Sequence, residues 1–168
     1  MNNKMFSKRF ITAITLCLIG LITFGCSSKS RVGGMLNLDT DLTLEFIIDR
    51  DVNPNDSERP SPLYLRLYQL SSPTQFEKSE FVDIYEKDKE ILKDELIARQ
   101  DLSPFIPGET RKERFVLKPG TRYIAIYAEF SQYSKSTYKV VFPVTENNVI
   151  RNREKISISG KTVKILKK

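Results

Sequence analysis

"LYLRLYQL", residues 63–70, sets Leu63, Leu65 and Leu67 on one side of an extended chain and Tyr64, Arg66 and Tyr68 on the other. Successive side chains of a strand point to opposite faces, so a period of two predicts a strand with one face in an apolar core. The habit recurs in both directions. Upstream, "TLEFII" alternates Leu44, Phe46 and Ile48 against Thr43, Glu45 and Ile47. Downstream, "RFVL" continues it, "RYIAIYAEF" gathers Ile124, Ile126, Ala128 and Phe130 on one face, and "TYKVVFPV" gathers Tyr138, Val140 and Phe142. Pro143 should end that strand or mark an edge, because it has no N–H for a ladder. "KISISGKTVKIL" reads as two short runs about Gly160, a hairpin signal. "PGE" at 107–109 and "KPG" at 118–120 are turns that bracket the strand ending at Leu117. Seven or eight short strands at this spacing predict a mainly β fold, a β-sandwich.

One segment departs from the period. In "SSPTQFEKSEFVDIYEKDKEILKDELIARQ", residues 71–100, Ser72 is a candidate N-cap and Pro73 suits a first helical turn. Phe81, Ile84 and Tyr85 fall at i, i+3 and i+4 with charges between them. The segment predicts one or two short amphipathic helices inserted between strands, packed on the sandwich by their aromatic side.

The chain opens differently. Phe10 to Phe24, "FITAITLCLIGLITF", is uncharged and follows Lys4, Lys8 and Arg9. Fifteen helical residues reach only ~22 Å, short of the ~30 Å hydrocarbon core, so the run predicts an export signal over 1–25 rather than a permanent span. Cys26 follows at once, and "TFGC" resembles the lipobox of bacterial lipoproteins, with Thr23 where leucine is usual. The resemblance implies cleavage before Cys26, a diacylglyceryl group on its sulfur and an acylated amino terminus. The alternative is a plain secretory signal that contains a cysteine. Ser27, not Asp, follows Cys26, which in such lipoproteins sends the product to the outer membrane. Several acyl chains on one residue hold firmly where a single chain binds only marginally. Cys17 would leave with the signal, so the mature chain would have no second thiol for a disulfide. "SSKSRVGGM" then reads as a flexible tether, 26–35, and residues 36–168 as one domain with an adequate core.

Charge narrows the partners. Of 27 Lys and Arg three lie in the signal, while none of the 21 Asp and Glu do, which leaves 24 against 21, a net of +3. That is too little to predict nucleic-acid binding, which needs clustered phosphate contacts. With no histidine in the chain, histidine-based triads and ordinary zinc sites are excluded. "SGKT", Ser159 to Thr162, does not make a phosphate loop: Lys155 stands where its first glycine belongs, and strands follow. No pair of acids stands out as a hydrolytic dyad, so neither catalytic residues nor a cofactor are assigned.

Taken in order, "SPLYLRLYQLSSPTQFEKSEFVDIY", "PGETRKERFVLKPGTRYIAIYAEF" and "STYKVVFPV" resemble the outer-membrane lipoprotein of the type VI secretion system, the TssJ family, over roughly residues 42–166. The resemblance implies a transthyretin-like β-sandwich with added helices and no enzymatic activity. It also implies binding to the periplasmic C-terminal domain of TssM, an inner-membrane protein, so that Cys26 would fix an envelope-spanning complex to the outer membrane. In that family the loop between the first two strands contributes to the contact.

Here that loop is "DRDVNPNDSERPS", Asp49 to Ser61, and thirteen residues are many for a strand connection. Asn53, Pro54, Asn55, Asp56, Ser57, Glu58 and Arg59 are its candidate partner-binding residues. A solvated loop without a partner is the plain alternative. Calcium is a third reading, since "DRDVN" spaces its acids as an EF-hand does. It fails because Pro54 takes the position of the turn glycine and Pro60 that of the bidentate glutamate. A different sandwich lipoprotein, binding a small ligand or envelope polymer in an aromatic-lined cleft, is the competing function.

Overall fold

The alternating segments become strands. The computed structural model describes residues 40–145 and 152–166; the signal 1–25, Cys26 and the tether 26–35 lie outside the described residues. Among the described residues the strands are β1 (Asp41–Ile48), β2 (Leu65–Leu70), β3 (Leu96–Asp101), β4 (Thr110–Val116), β5 (Tyr123–Ala128), β6 (Lys139–Pro143), β7 (Asn152–Ser159) and β8 (Thr162–Ile165). Two helices, α1 (Thr74–Lys78) and α2 (Phe81–Leu92), sit between β2 and β3.

The strands form two four-stranded sheets. Sheet A runs β4-β1-β7-β8 and sheet B runs β3-β2-β5-β6. The inner faces are the ones the period-two pattern selects: Leu42, Leu44, Phe46 and Ile48 of β1 pack with Leu65, Leu67, Ile124, Ile126 and Ala128 from sheet B. Register within sheet B aligns its inner face, with Leu67 opposite Ile126 and Leu65 opposite Ala128. Fully burying each such side chain stabilises by about 1.5–3 kcal/mol, which is what holds the sheets face to face. This stack, with helices on one face, is the transthyretin-like sandwich that the resemblance implies.

Sheet B is covered on its other face too. Tyr68, Leu70, Ala125 and Tyr127 pack there against Phe76, Phe81, Ile84 and Leu92 of the helices. The order of layers is therefore helices, sheet B, sheet A. All of β2 is buried as a result, including Arg66 and Gln69. Gln69 is satisfied by the β4–β5 turn, where its Oε1 accepts from Lys118 N at 2.7 Å and its Nε2 donates to Val116 O at 3.2 Å.

The inserted segment differs in detail from its reading. Pro73, not Ser72, is the N-cap of α1, and Ser72 Oγ accepts from Thr74 N at 3.3 Å. α2 starts at a capping box in which Glu80 and Asp83 each accept from the other's backbone. Phe81 and Ile84 are buried, but Tyr85 is 50% exposed. "LIARQ", read as part of the helical segment, forms with Asp101 the edge strand β3. It pairs with β2 and is half-buried to exposed along its length, so no alternation marks it.

Candidate partner-binding site

The β1–β2 loop folds back on the sandwich end. β1 releases the chain at Asp49, whose N–H donates to Ile158 O at 2.9 Å. Val52 then turns inward and is fully buried in the main core. Asn53 follows at φ +49, in the left-handed region that asparagine tolerates better than most residues. The residue is 3% exposed and its side chain is bonded at both ends: Nδ2 donates to Pro62 O at 2.8 Å, and Oδ1 accepts from Ser131 N at 2.8 Å. Its backbone N–H donates to Gly160 O at 2.8 Å, and its carbonyl accepts from Ser61 Oγ at 2.5 Å. Asn53 thus locks the β1–β2 loop to the β5–β6 loop and the β7–β8 turn.

Asn55 shapes the tip beyond. Its Oδ1 accepts from Ser57 N at 2.9 Å and Arg59 N at 3.1 Å, while its backbone closes on Arg59 and Glu58. Gln132 Nε2 donates to Asn55 O at 3.1 Å, and Lys161 Nζ donates to Gln132 Oε1 at 2.9 Å. Pro54 and Asn55 are half-buried, whereas Asp56, Ser57, Glu58 and Arg59 are exposed. The seven candidate residues therefore divide: Asn53 is internal scaffold, and the tip presents Asp56 to Arg59 to solvent.

Asp51, near the loop's start, is otherwise engaged. Asp51 Oδ1 accepts from Gly160 N at 3.0 Å, in the hairpin turn that "SGKT" forms, with Gly160 at φ +53. Among the described residues, no group of three or more His, Cys, Asp or Glu is placed to hold a metal ion.

Beside the tip lies an aromatic ladder, of which Phe81 and Tyr85 stand out in the sequence but Tyr133 does not. Tyr133, next to Gln132 and 41% exposed, stacks on Phe81 at 4.2 Å and 8°. Phe81 stacks in turn on Tyr85 at 5.9 Å and 13°. The Arg66 guanidinium lies 5.1 Å from the Tyr85 ring centre. The available signal was a tyrosine in a polar loop, "SQYSKS", where burial offers no reason for it. Half-exposed tyrosines beside fixed polar groups are the composition of interface cores, since a rigid ring loses little entropy on contact.

Under the ladder, charged groups fasten α2 to sheet B. Arg66 Nε donates to Glu129 at 2.5 Å, and its Nη1 to Ile84 O at 3.2 Å and Tyr85 O at 3.1 Å. Asp88, buried where α2 kinks at Lys87, accepts from Tyr68 Oη at 2.9 Å and Arg99 Nη1 at 2.6 Å. Burial pushes the Tyr68 phenol up, the Arg66 guanidinium pulls it back, and the Asp88 carboxylate raises it again. Burial likewise raises the Tyr127 phenol, against the pull of Arg66. Every member is paired, as a scaffold requires, and the notch beside Arg66 and Arg99 holds only about 220 Å³.

Comparison with known proteins gives this architecture relatives. No curated protein sequence matches the chain. Solved structures do: TssJ1, the type VI secretion lipoprotein from Pseudomonas aeruginosa, is 21% identical, with 76% of this chain and 95% of that one covered at a TM-score of 0.70. Lip from Serratia marcescens, a membrane bound component of the type VI secretion system, is 23% identical over 77% of this chain and 98% of its own, also at 0.70. A chain in a structure of the TssM C-terminal domain (869-1107) from EAEC is 21% identical over 76% and 98%, at 0.63. At these identities the likeness carries the fold. The profile of the type VI secretion lipoprotein family (T6SS-SciN; VasD, EvfM, TssJ) matches residues 40–163, nearly the whole sandwich, and the chain belongs to that family.

Proposed function

We propose that this chain is the outer-membrane lipoprotein of a type VI secretion membrane complex. It binds the periplasmic C-terminal domain of TssM through its loop end and acts as a tether, not an enzyme. The observation that carries the reading is the fixed, exposed tip Asp56–Arg59, locked by Asn53 and Asn55 and flanked by Tyr133. A loop ordered before contact gives up less entropy on docking, so few contacts suffice. The likeness to a chain in a structure of the TssM C-terminal domain supports that choice of partner. Cys26 supplies the other half of the tether: acylated, it holds the domain on the periplasmic side of the outer membrane.

Calorimetry between the chain from Ser27 onward and the TssM periplasmic domain tests the binding. Saturable binding is expected, with at least a tenfold loss in the Asp56→Lys, Glu58→Lys variant at an unchanged melting temperature. No heat of binding with both proteins folded would overturn it. Cell fractionation of Cys26→Ser tests the anchor, since the variant should leave the membrane fraction.

A further inference from the structure

The side of the sandwich opposite the helices carries a feature that the tether role does not use. The outward face of sheet A presents three consecutive rows of cross-strand neighbours. Thr43 lies between Arg114 and Arg153, Glu45 between Lys112 and Lys155, and Ser157 beside Lys164. The flanking cations stand two strand spacings apart, about 10 Å, and adjacent rows about 7 Å apart. These cations are exposed, the Lys112 side chain by 68% and that of Arg114 by 64%. Two acids share the face. Glu45 lies 3.2 Å from Lys155 and 3.8 Å from Lys112, and Asp41 pairs with Arg114. Five cations against two acids leave +3, equal to the net charge of the chain from Cys26 onward.

The opposite side has the reverse sign. From Thr74 to Glu95, the helical layer, eight acids stand against four bases, and with Asp88 buried beneath the helices seven acids remain, a net of minus three. The helices' apolar cluster draws on sheet B alone, so among the described residues no helix covers the basic face. The domain is therefore electrically polarised across its layers.

We propose that this outward face of sheet A is a membrane-resting surface, seated on the anionic phospholipid headgroups of the leaflet that holds Cys26. The proposal rests on the acylation proposed above for which membrane is met. Thirteen residues separate Cys26 from Thr40, a stretch that, taken as the flexible tether read from its sequence, has an rms span of about 20 Å, and β1 begins at Asp41 at one end of this same face. At that range the domain repeatedly enters the ~8 Å over which a surface potential acts at physiological salt. A flat field of cations is attracted to anionic headgroups while the acidic helices are repelled, and both effects turn the domain the same way. Acyl chains together with a basic patch are the paired signals that make membrane attachment stable.

Co-sedimentation of the chain from Ser27 onward, which carries no lipid but contains both apolar clusters of the fold, tests this with phosphatidylcholine vesicles with and without phosphatidylglycerol. Binding is expected to the anionic vesicles alone and to fall as salt is added. Neutralising the face should cost about fivefold for Arg153→Gln and on the order of 100-fold for Lys112→Gln, Arg153→Gln and Lys155→Gln together. The helical-side set Lys87→Gln, Lys89→Gln and Lys93→Gln should lose nothing, and thermal melts of each variant separate lost charge from lost fold. Equal binding to both vesicles, binding to neither, or equal loss in the two sets would overturn the proposal. So would loss of TssM-domain binding in the sheet-A set, which would make the face a protein interface. A chain without lipid reports on the face alone, so failure here leaves acylation of Cys26 standing, and failed acylation leaves this result standing.

Discussion

Burying a side-chain amide is tolerable only where its donors and acceptor are met, and at Asn53 they are met by Pro62 O and Ser131 N. Asn53→Ala removes both bonds, leaves the Ser131 N–H and the Pro62 carbonyl without their partner, and puts an alanine at φ +49. The expected loss is about 2–4 kcal/mol, read from denaturant midpoints at constant slope. Glu58 makes the opposite case, because it holds φ +56 at the exposed tip. Glu58→Gly relieves that conformation while loosening the unfolded chain, so stability should stay within about 1 kcal/mol. If the tip meets the partner, Glu58→Gly should weaken TssM-domain binding without moving the melt, whereas Asn53→Ala should move both. The pair thus separates contact from scaffold among neighbours that sequence alone treats alike. The role of Asn53 was not legible there because its partner Ser131 lies 78 residues away. What sequence offered was polarity and length, and both are properties of the loop rather than of any one residue.

Five residues make too short a helix to stand alone, so α1 must be held from outside. One clamp comes from β6, where Lys139 Nζ donates to the carbonyls of Phe76, Glu77 and Ser79 at 2.9, 2.8 and 2.6 Å. The other is Glu95, just before β3, whose carboxylate accepts from Gln75 N at 2.8 Å and Ser72 Oγ at 3.0 Å. Lys139→Met keeps the aliphatic stem but frees three carbonyls at the end of α1. We expect a loss of about 2–3 kcal/mol and, by hydrogen exchange, faster opening of the Glu77 and Ser79 amides than of the α2 amides. This clamp also marks where period reading stops. β1, β2 and β5 were legible because one apolar core sorts Leu65, Leu67, Ile124 and Ile126 to the same side. β3 was not, since Leu96, Ala98, Arg99 and Gln100 are good helix formers and an edge strand has no fully buried face to impose alternation. Pairing with β2 overrides the local preference. Tyr85 was legible as amphipathic but not as half-exposed, because the ring it leans on, Phe81, is itself stacked on the distant Tyr133.

Three layers place two strands with both faces inside, and those strands carry phenols into the interior beneath the helices. Tyr68 and Tyr127 are fully buried, their hydroxyls donating to Asp88 and to Phe81 O, and burial raises both well above the ordinary value of 10.0. Tyr138 is raised as well, by burial and then by Glu80 and Asp83. A group whose folded pKa is raised binds its proton more tightly folded than unfolded. Its stabilisation is therefore complete below pH 10 and is lost as pH climbs from there toward the folded value. Lys139 acts in the opposite sense, because burial lowers its ammonium below 10.5, so the unfolded chain holds that proton longer. Three phenols outweigh one ammonium, and stability should fall above about pH 10 with a slope of up to about 1.4 kcal/mol per pH unit for each net group. Ultraviolet phenolate absorbance followed alongside circular dichroism checks it. The Tyr68 and Tyr127 phenols should ionise only together with the collapse of the fold. Tyr127→Phe, which removes one hydroxyl bonded to a single carbonyl, should make the alkaline decline shallower by about one group. A decline of unchanged slope in that variant would place the sensitive groups elsewhere than beneath the helical layer.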